Sequence, residues 1–336
     1  MAESSVNPAL IFDTLLGFQR SAALRSAIDL DLFTLIGEGV TEAASLAGRR
    51  HASERGIRIL CDYLVTLGFL SKSGDQYGLT EISAVFLDHR SPACVASCAH
   101  FLTSPMLVDG CHSLTQAVRL GGTALSEEGS MEPEHPMWVE FAQGMMPMMY
   151  PASQEIAQIL SCDPHPVGKV LDIAAGHGIF GIAVAQKFAG AQVTALDWAP
   201  VLAVATRNAA KFGVADRYRT TAGNVFETDL GSGYDVVLVT NFFHHFDVQT
   251  CRHLAARIYE ALAPNGRMVT LEFAPNEDRV SPPELARFAL TMLATTAHGD
   301  AYTFAEYDLM FRQAGFTGNV KHQLQRSAQR VIVSHK

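Results

Sequence analysis

Charge is scarce in this chain. Only 18% of its 336 residues are Asp, Glu, Lys or Arg, and acidic residues outnumber basic ones 34 to 25, which leaves a formal net charge of −9. Phosphate backbones are bound by clustered lysines and arginines that displace counterions, so this balance argues against a nucleic-acid partner and for a small molecule. Long apolar runs are missing as well. No stretch of 18 uncharged apolar residues occurs, and the start MAESSVNPALIFDTLL carries no basic segment leading into an apolar one. Neither a membrane span nor a secretory leader is expected, and the chain reads as cytoplasmic. The six cysteines (Cys61, Cys94, Cys98, Cys111, Cys162, Cys251) include no Cys-x-x-Cys pair, so reduced, mostly buried thiols are expected. Cys94 and Cys98 stand four apart, but no second Cys or His pair nearby completes a zinc site.

What the chain does have is apolar material, 48% of its residues, at a length that suits two domains better than one. Between residues 8 and 36, Leu10, Leu15, Phe18, Ala22 and Leu24, then Ile28, Leu32 and Leu35, recur at helical spacing and predict two amphipathic helices. A short helix from Thr41 and a second one capped by Ser53 follow, and LGFLSKSGDQYGLT then predicts two short strands around Gly74-Asp75. Helix-turn-helix plus hairpin is the winged-helix pattern. Arg49, Arg50, Arg55 and Arg58 lend some charge to a DNA-binding reading, but the acidic chain and the large domain that follows favour packing and dimerisation.

Residues 1–90 are therefore expected to form a winged-helix dimerisation domain, 91–165 a helical linker that shapes a pocket, and 166–336 the cofactor domain. The middle region is helical in pattern, broken at Gly121-Gly122 and over 126–136. Five methionines between Met137 and Met149, Met145 among them, stand beside Trp138 and Phe141. Core packing and a soft wall for a flat apolar ligand account for them equally well.

From Lys169 short β-rich runs alternate with helical stretches, which predicts right-handed βαβ units and an α/β, doubly wound, mostly parallel sheet. The tail FTGNVKHQLQRSAQRVIVSHK predicts an antiparallel hairpin at its edge. The first of these strands ends in VLDIAAGHGIFG, where Gly176, Gly178 and Gly181 satisfy the GxGxxG string and Asp197 follows Gly176 by 21 residues. That spacing also fits a dinucleotide site. Asp172 argues otherwise, because its carboxylate would meet a pyrophosphate at close range uncompensated. A cationic amino group and sulfonium, with a ribose on Asp197, suit these acids better: the needs of S-adenosylmethionine.

After the fourth strand comes VTNFFHHFDVQTC, and after the fifth VTLEFAP. Strand carboxyl ends line the crevice of such a sheet, so His244 or His245 should meet Glu272 at its mouth. A histidine with an ordinary pKa near 6.5 can take the proton of a phenol whose pKa is about 10, and a carboxylate behind it would orient the ring. Further on, one helix is predicted from Ser281, with Pro282 and Pro283 in its first turn, to Ala314-Gly315-Phe316. Its Phe288, Met292 and His298 are candidates to close the pocket, although core packing explains Phe288 and Met292 as well.

LDIAAGHG and Leu196-Asp197-Trp198 resemble the acidic glycine-rich first motif and the ribose-binding segment of class I methyltransferases. Gly223-Asn224-Val225-Phe226 stands where relatives usually have Gly-Asp and an apolar pair flanking the adenine. Here Asn224 replaces the acid and can still accept through its amide oxygen. With the winged helix in front, nearly the whole chain resembles the O-methyltransferases of plant phenolic, acetylserotonin and bacterial polyketide metabolism. The resemblance implies a Rossmann-like fold, a homodimer built through the N-terminal domain, and a small, hydroxylated, aromatic acceptor. It implies S-adenosylmethionine held by Asp172, Ala174, Gly176, Gly178, Asp197, Trp198, Gly223, Asn224, Val225, Phe226 and Asn241. The acceptor pocket it implies takes in Trp138, Phe141, Met145, Met149, His245, Phe288, Met292 and His298, with no resident metal.

Aligning Cys251 with the family's frequent cysteine puts His244 on the catalytic base and His245 on the acid that follows it. Glu272, 28 residues after His244, falls on the first supporting glutamate. The second would fall at Gly299-Asp300-Ala301, where there is none. Three alternatives stay open at this point: methylation of nitrogen or carbon, a metal held by His244 or His245 with Asp247 and His298 as in relatives acting beside a 2-oxo acid, and a winged-helix regulator that senses a ligand.

Overall fold

The computed structural model describes residues 7–126, 130 and 134–336, so most of the break expected over 126–136 lies outside the described residues. The chain folds as two compact units, 1–103 and 104–336. No helix among the described residues is long and apolar enough to cross a membrane.

In the first unit, helices Ala43–Arg50 and Glu54–Thr66 precede an antiparallel hairpin of β1 (Leu70–Ser73) and β2 (Gln76–Leu79), the predicted winged-helix pattern. Ser53 caps the second helix by accepting the Gly56 N–H, and Gly74 takes the positive φ that the two-residue turn requires. Leu32, Phe33, Leu46, Ile57, Leu64, Leu70 and Tyr77 are fully buried between these elements. Residues 8–36 form three helices rather than two, Ala9–Leu15, Gly17–Asp29 and Leu32–Gly37. The third is buried, but the expected apolar face of the first two stands open among the described residues of this unit: Leu10 is 78% exposed, Leu15 66% and Phe18 67%.

The second unit is built on a seven-stranded sheet of β3 (Lys169–Ile173), β4 (Gln192–Asp197), β5 (Tyr218–Ala222), β6 (Tyr234–Thr240), β7 (Leu262–Glu272), β8 (Gly318–Gln323) and β9 (Arg330–His335). Their spatial order is β5-β4-β3-β6-β7-β9-β8, parallel through β7 and antiparallel beyond it. Val170, Leu171, Ile173 and Val236–Val239 are buried on both faces, as strands covered by helices on two sides must be. The terminal hairpin is present, with β9 inserted between β7 and β8 so that only β8 lies at the edge. Strand order reverses between β3 and β6, which opens a crevice at their carboxyl ends.

The helix expected from Ser281 to Phe316 is two helices, Pro283–Thr295 and Phe304–Gln313. The break begins where Thr296 turns its hydroxyl to the Met292 carbonyl and to the Gly299 N–H, and Thr303 starts the second helix in a capping box with Glu306. Cys61, Cys98 and Cys251 are buried, while Cys111 and Cys162 are exposed, so "mostly buried" holds for only half of the cysteines.

Candidate active site

The turn after β3 needs unusual backbone. Ala174 (φ +52°), Gly176 (+57°) and Gly178 (+76°) all lie in the left-handed region, and a methyl on Gly178 would sit 2.6 Å from the Tyr218 hydroxyl and 3.0 Å from the Ala205 Cβ. The turn is tied to the end of β4. Asp197 accepts the Gly176 N–H at 2.8 Å on one oxygen and the Trp198 N–H at 2.7 Å on the other. Burial pushes its pKa up to about 6, against the two amide donors that hold it down.

Asp172, fully buried, lies beneath the turn. One of its oxygens accepts the Gly181 N–H at 3.0 Å, the other has no hydrogen-bond partner, and burial together with the Asp197 charge raises its pKa well above the ordinary carboxylate range. Gly181 is required here because a methyl would stand 2.7 Å from that carboxylate. Gly223 donates to the Asp197 carbonyl at 3.1 Å, and Asn224 turns its amide oxygen to the Phe226 N–H at 3.0 Å, leaving that oxygen a second lone pair. Val225 is buried and Phe226 half-buried, the latter edge-on to Phe246 at 5.1 Å.

Across the switch point, the chain after β6 turns at Asn241 (φ +56°) into a 3-10 turn, Phe243–His245. There His244 Nδ1 meets Glu272 Oε2 at 2.6 Å, with both side chains buried, and the other carboxylate oxygen accepts the Phe242 N–H at 3.0 Å. An ionised carboxylate only accepts, so Nδ1 carries the hydrogen and Nε2 presents its lone pair. The turn is pinned from below, where the Cys251 thiol donates to the Phe243 carbonyl at 3.2 Å and the Tyr302 hydroxyl to the Phe246 carbonyl at 2.7 Å. Gly299 lies so close that a methyl there would fall 2.3 Å from the His244 carbonyl oxygen. Asp300 faces Arg279 at 3.5 Å, and among the described residues Glu272 is the carboxylate in contact with His244.

Rings connect the two halves. Phe288 stacks on Phe273 at 3.7 Å and stands edge-on to His244 at 4.8 Å; His245 lies 4.3 Å from His244, Trp138 is edge-on to His245 at 5.3 Å, and Phe141 continues the series at 6.0 Å from Trp138. Met145, Met149 and Met292 are buried, and Asn241 Nδ2 reaches the Met149 sulfur at 3.7 Å. His298 is exposed. Asp247 caps the helix Val248–Ala261 by accepting the Thr250 N–H at 2.7 Å. Among the described residues, the donor atoms of His244, His245, Asp247 and His298 are not gathered within 4.8 Å of one another.

Apart from His245, which it put in the pocket, the sequence reading missed several polar groups here. His177, inside the glycine string, is buried under Phe141 at 5.8 Å. Its Nδ1 accepts the Ile179 N–H at 3.3 Å, its Nε2 has no partner, and burial pushes its pKa down to about 3. The buried hydroxyl of Tyr218 and the buried Nδ1 of His245 are likewise unpartnered, and His245 is held well below its ordinary pKa by burial and by the adjacent His244. Gln329 donates to the Asn241 side chain. Only the Gly-His-Gly string itself offered a signal for any of these.

A doubly wound domain with a carboxylate-bearing glycine turn on one side of its switch point and a His–Glu pair on the other has the make-up of a class I methyltransferase. Comparison with known proteins makes this specific. The O-methyltransferase domain matches residues 133–317, over half of the chain, and the O-methyltransferase dimerisation domain matches 12–89. The chain belongs to the S-adenosylmethionine-dependent O-methyltransferase family. Among curated relatives, the 3-hydroxy-5-methyl-1-naphthoate 3-O-methyltransferase of Streptomyces sahachiroi is 26% identical over 92% of this chain and 89% of its own. A crystal structure from Nostoc punctiforme, itself assigned only by class as an O-methyltransferase, is 51% identical with TM-score 0.95 over 99% of this chain and all of its own. Human N-acetylserotonin methyltransferase, solved with S-adenosylmethionine, shares the fold at 24% identity and TM-score 0.84 over 100% of this chain and 99% of its own.

Proposed function

We propose that this enzyme methylates a hydroxyl of a small, flat, aromatic metabolite, with His244 as general base, Glu272 as its orienting carboxylate and S-adenosylmethionine as donor. The observation that carries the reading is the 2.6 Å contact of His244 Nδ1 with Glu272, buried at the carboxyl ends of two neighbouring parallel strands. The donor, when bound, supplies an electrophilic methyl on a cationic sulfur. The turn suits such a cation: the charge that bears on Asp172 is a second carboxylate, and one Asp172 oxygen stands buried without a partner. In this reading Asp197 at the end of β4 takes the ribose hydroxyls, and Trp198, Asn224, Val225 and Phe226 would flank the adenine.

As the acceptor oxygen gains its methyl, its hydrogen must leave, and Nε2 of His244 is the free lone pair positioned to take it. Glu272 then stabilises the imidazolium that results, a role worth about 10²- to 10⁴-fold in rate for a well-placed base. The rings of Trp138, Phe141, His245 and Phe288 favour a planar acceptor, consistent with the naphthoate of the Streptomyces relative. Leu15 and Phe18, uncovered apolar residues of the first two helices and inside the dimerisation match, supply part of the face for a homodimer.

Incubation with S-adenosylmethionine and a panel of phenols, naphthols, aromatic amines, carbon acids such as 2-oxo acids, and carboxylic acids, followed by S-adenosylhomocysteine release, tests the reading. Turnover on hydroxylated aromatics supports it; turnover confined to amines, carbon acids or carboxylates overturns it.

A further inference from the structure

At the opposite end of the sheet from the crevice, three donors converge. Asp163 and His165 stand on the loop before β3, and His335 ends β9; their donor atoms all lie within 4.8 Å of one another. Each is held by rigid surroundings. His335 is fixed by its register with Arg267 on one side and Gly318 on the other. The loop is fixed by Arg267, which is fully buried and donates to the Pro166 and His165 carbonyls, each at 3.2 Å. Asp163 Oδ1 accepts the His165 N–H at 2.9 Å and meets the ring Nδ1 at 2.6 Å, while Oδ2 faces Arg267 Nε at 3.4 Å. The carboxylate is therefore oriented, with one oxygen toward the arginine and the other on His165, whose ring lies 5.8 Å from that of His335.

We propose that Asp163, His165 and His335 bind one divalent transition-metal ion of the zinc, cobalt or nickel type. Two imidazoles and one carboxylate are the donor set these ions prefer over magnesium or calcium, and three protein donors leave a position for water. The positive charge of Arg267 opposes a cation here, but it is shared between Asp163 and Asp235. His165 turns its ring from the Asp163 hydrogen bond to the metal, and the ion staples the entry of β3 to the last strand. The site lies outside the methyl-transfer machinery.

The full-length, tag-free protein, stripped with chelator and dialysed, is titrated with Zn²⁺ by calorimetry and with Co²⁺ by visible absorption, beside His335→Ala and Asp163→Asn. We expect one ion per chain with micromolar or tighter affinity, a rise in Tm with Zn²⁺, and at least a tenfold loss of affinity in each variant with methyl transfer unchanged. Equal Zn²⁺ and Co²⁺ binding by wild type and both variants, or none by wild type, overturns the site. Should His335→Ala fail to fold, the Co²⁺ spectrum of the wild type decides, since a d–d band of histidine–carboxylate character is required.

Discussion

In the proposed mechanism His244 accepts a proton on Nε2 because its Nδ1 is engaged by Glu272 at 2.6 Å. That relation was legible in the sequence, since both residues follow apolar strand runs whose carboxyl ends must adjoin the crevice. His177, Tyr218 and the Asn241–Gln329 contact were not, because their burial depends on Phe141, Gly178 and a C-terminal loop brought in from far along the chain. Asp197 makes a prediction at this scale. With its pKa near 6, it is mostly ionised at pH 7 and mostly protonated at pH 5. If its carboxylate form holds the donor's ribose, affinity for S-adenosylhomocysteine is unchanged above pH 7 and falls about tenfold by pH 5, from the fraction ionised one unit below the pKa. Calorimetry across that range checks this, with Asp197→Asn expected to bind weakly at every pH.

Between the two helices Pro283–Thr295 and Phe304–Gln313, the chain leaves helical geometry to lie against the His244 turn. Sequence reading ran one helix through this stretch because apolar spacing continues past it; the Thr303-x-x-Glu306 capping box was the readable sign of a restart. The close approach of Gly299 to His244 is a tertiary fact with no such sign. It predicts that Gly299→Ala, whose methyl would collide with backbone 2.3 Å away, displaces the turn and lowers kcat by about 10²-fold, the scale of a misplacement of roughly an ångström. Donor affinity should stay within twofold, because the glycine turn is on the other side of the switch point. Steady-state kinetics and calorimetry together separate the two effects. The strands were easier: β3 and β6 are short, mostly apolar runs, and only the insertion of β9 beside β7 needed the structure.

At the scale of the molecule, the first unit has the outline of a DNA-binding module without its charge. Arg50 pairs with Asp31 and Arg58 with Asp62, which takes two of the four candidate arginines out of play. What the unit offers instead is the apolar face of helices Ala9–Leu15 and Gly17–Asp29, whose periodicity was plain in sequence while its exposure among the described residues of this unit was not. Leu15→Glu with Phe18→Glu should halve the mass seen by sedimentation equilibrium, and an unchanged mass would place the dimer contact elsewhere. For the enzyme as a whole, the most direct test is the single-turnover rate of methyl transfer by wild type and His244→Ala, with donor and phenolic acceptor saturating, from pH 7 to 10. Loss of the base should slow the variant about 10²- to 10⁴-fold at pH 7, with the gap closing toward pH 10 as the phenol ionises unaided. A variant within threefold of wild type at pH 7, or a gap that stays constant with pH, would contradict proton abstraction by His244.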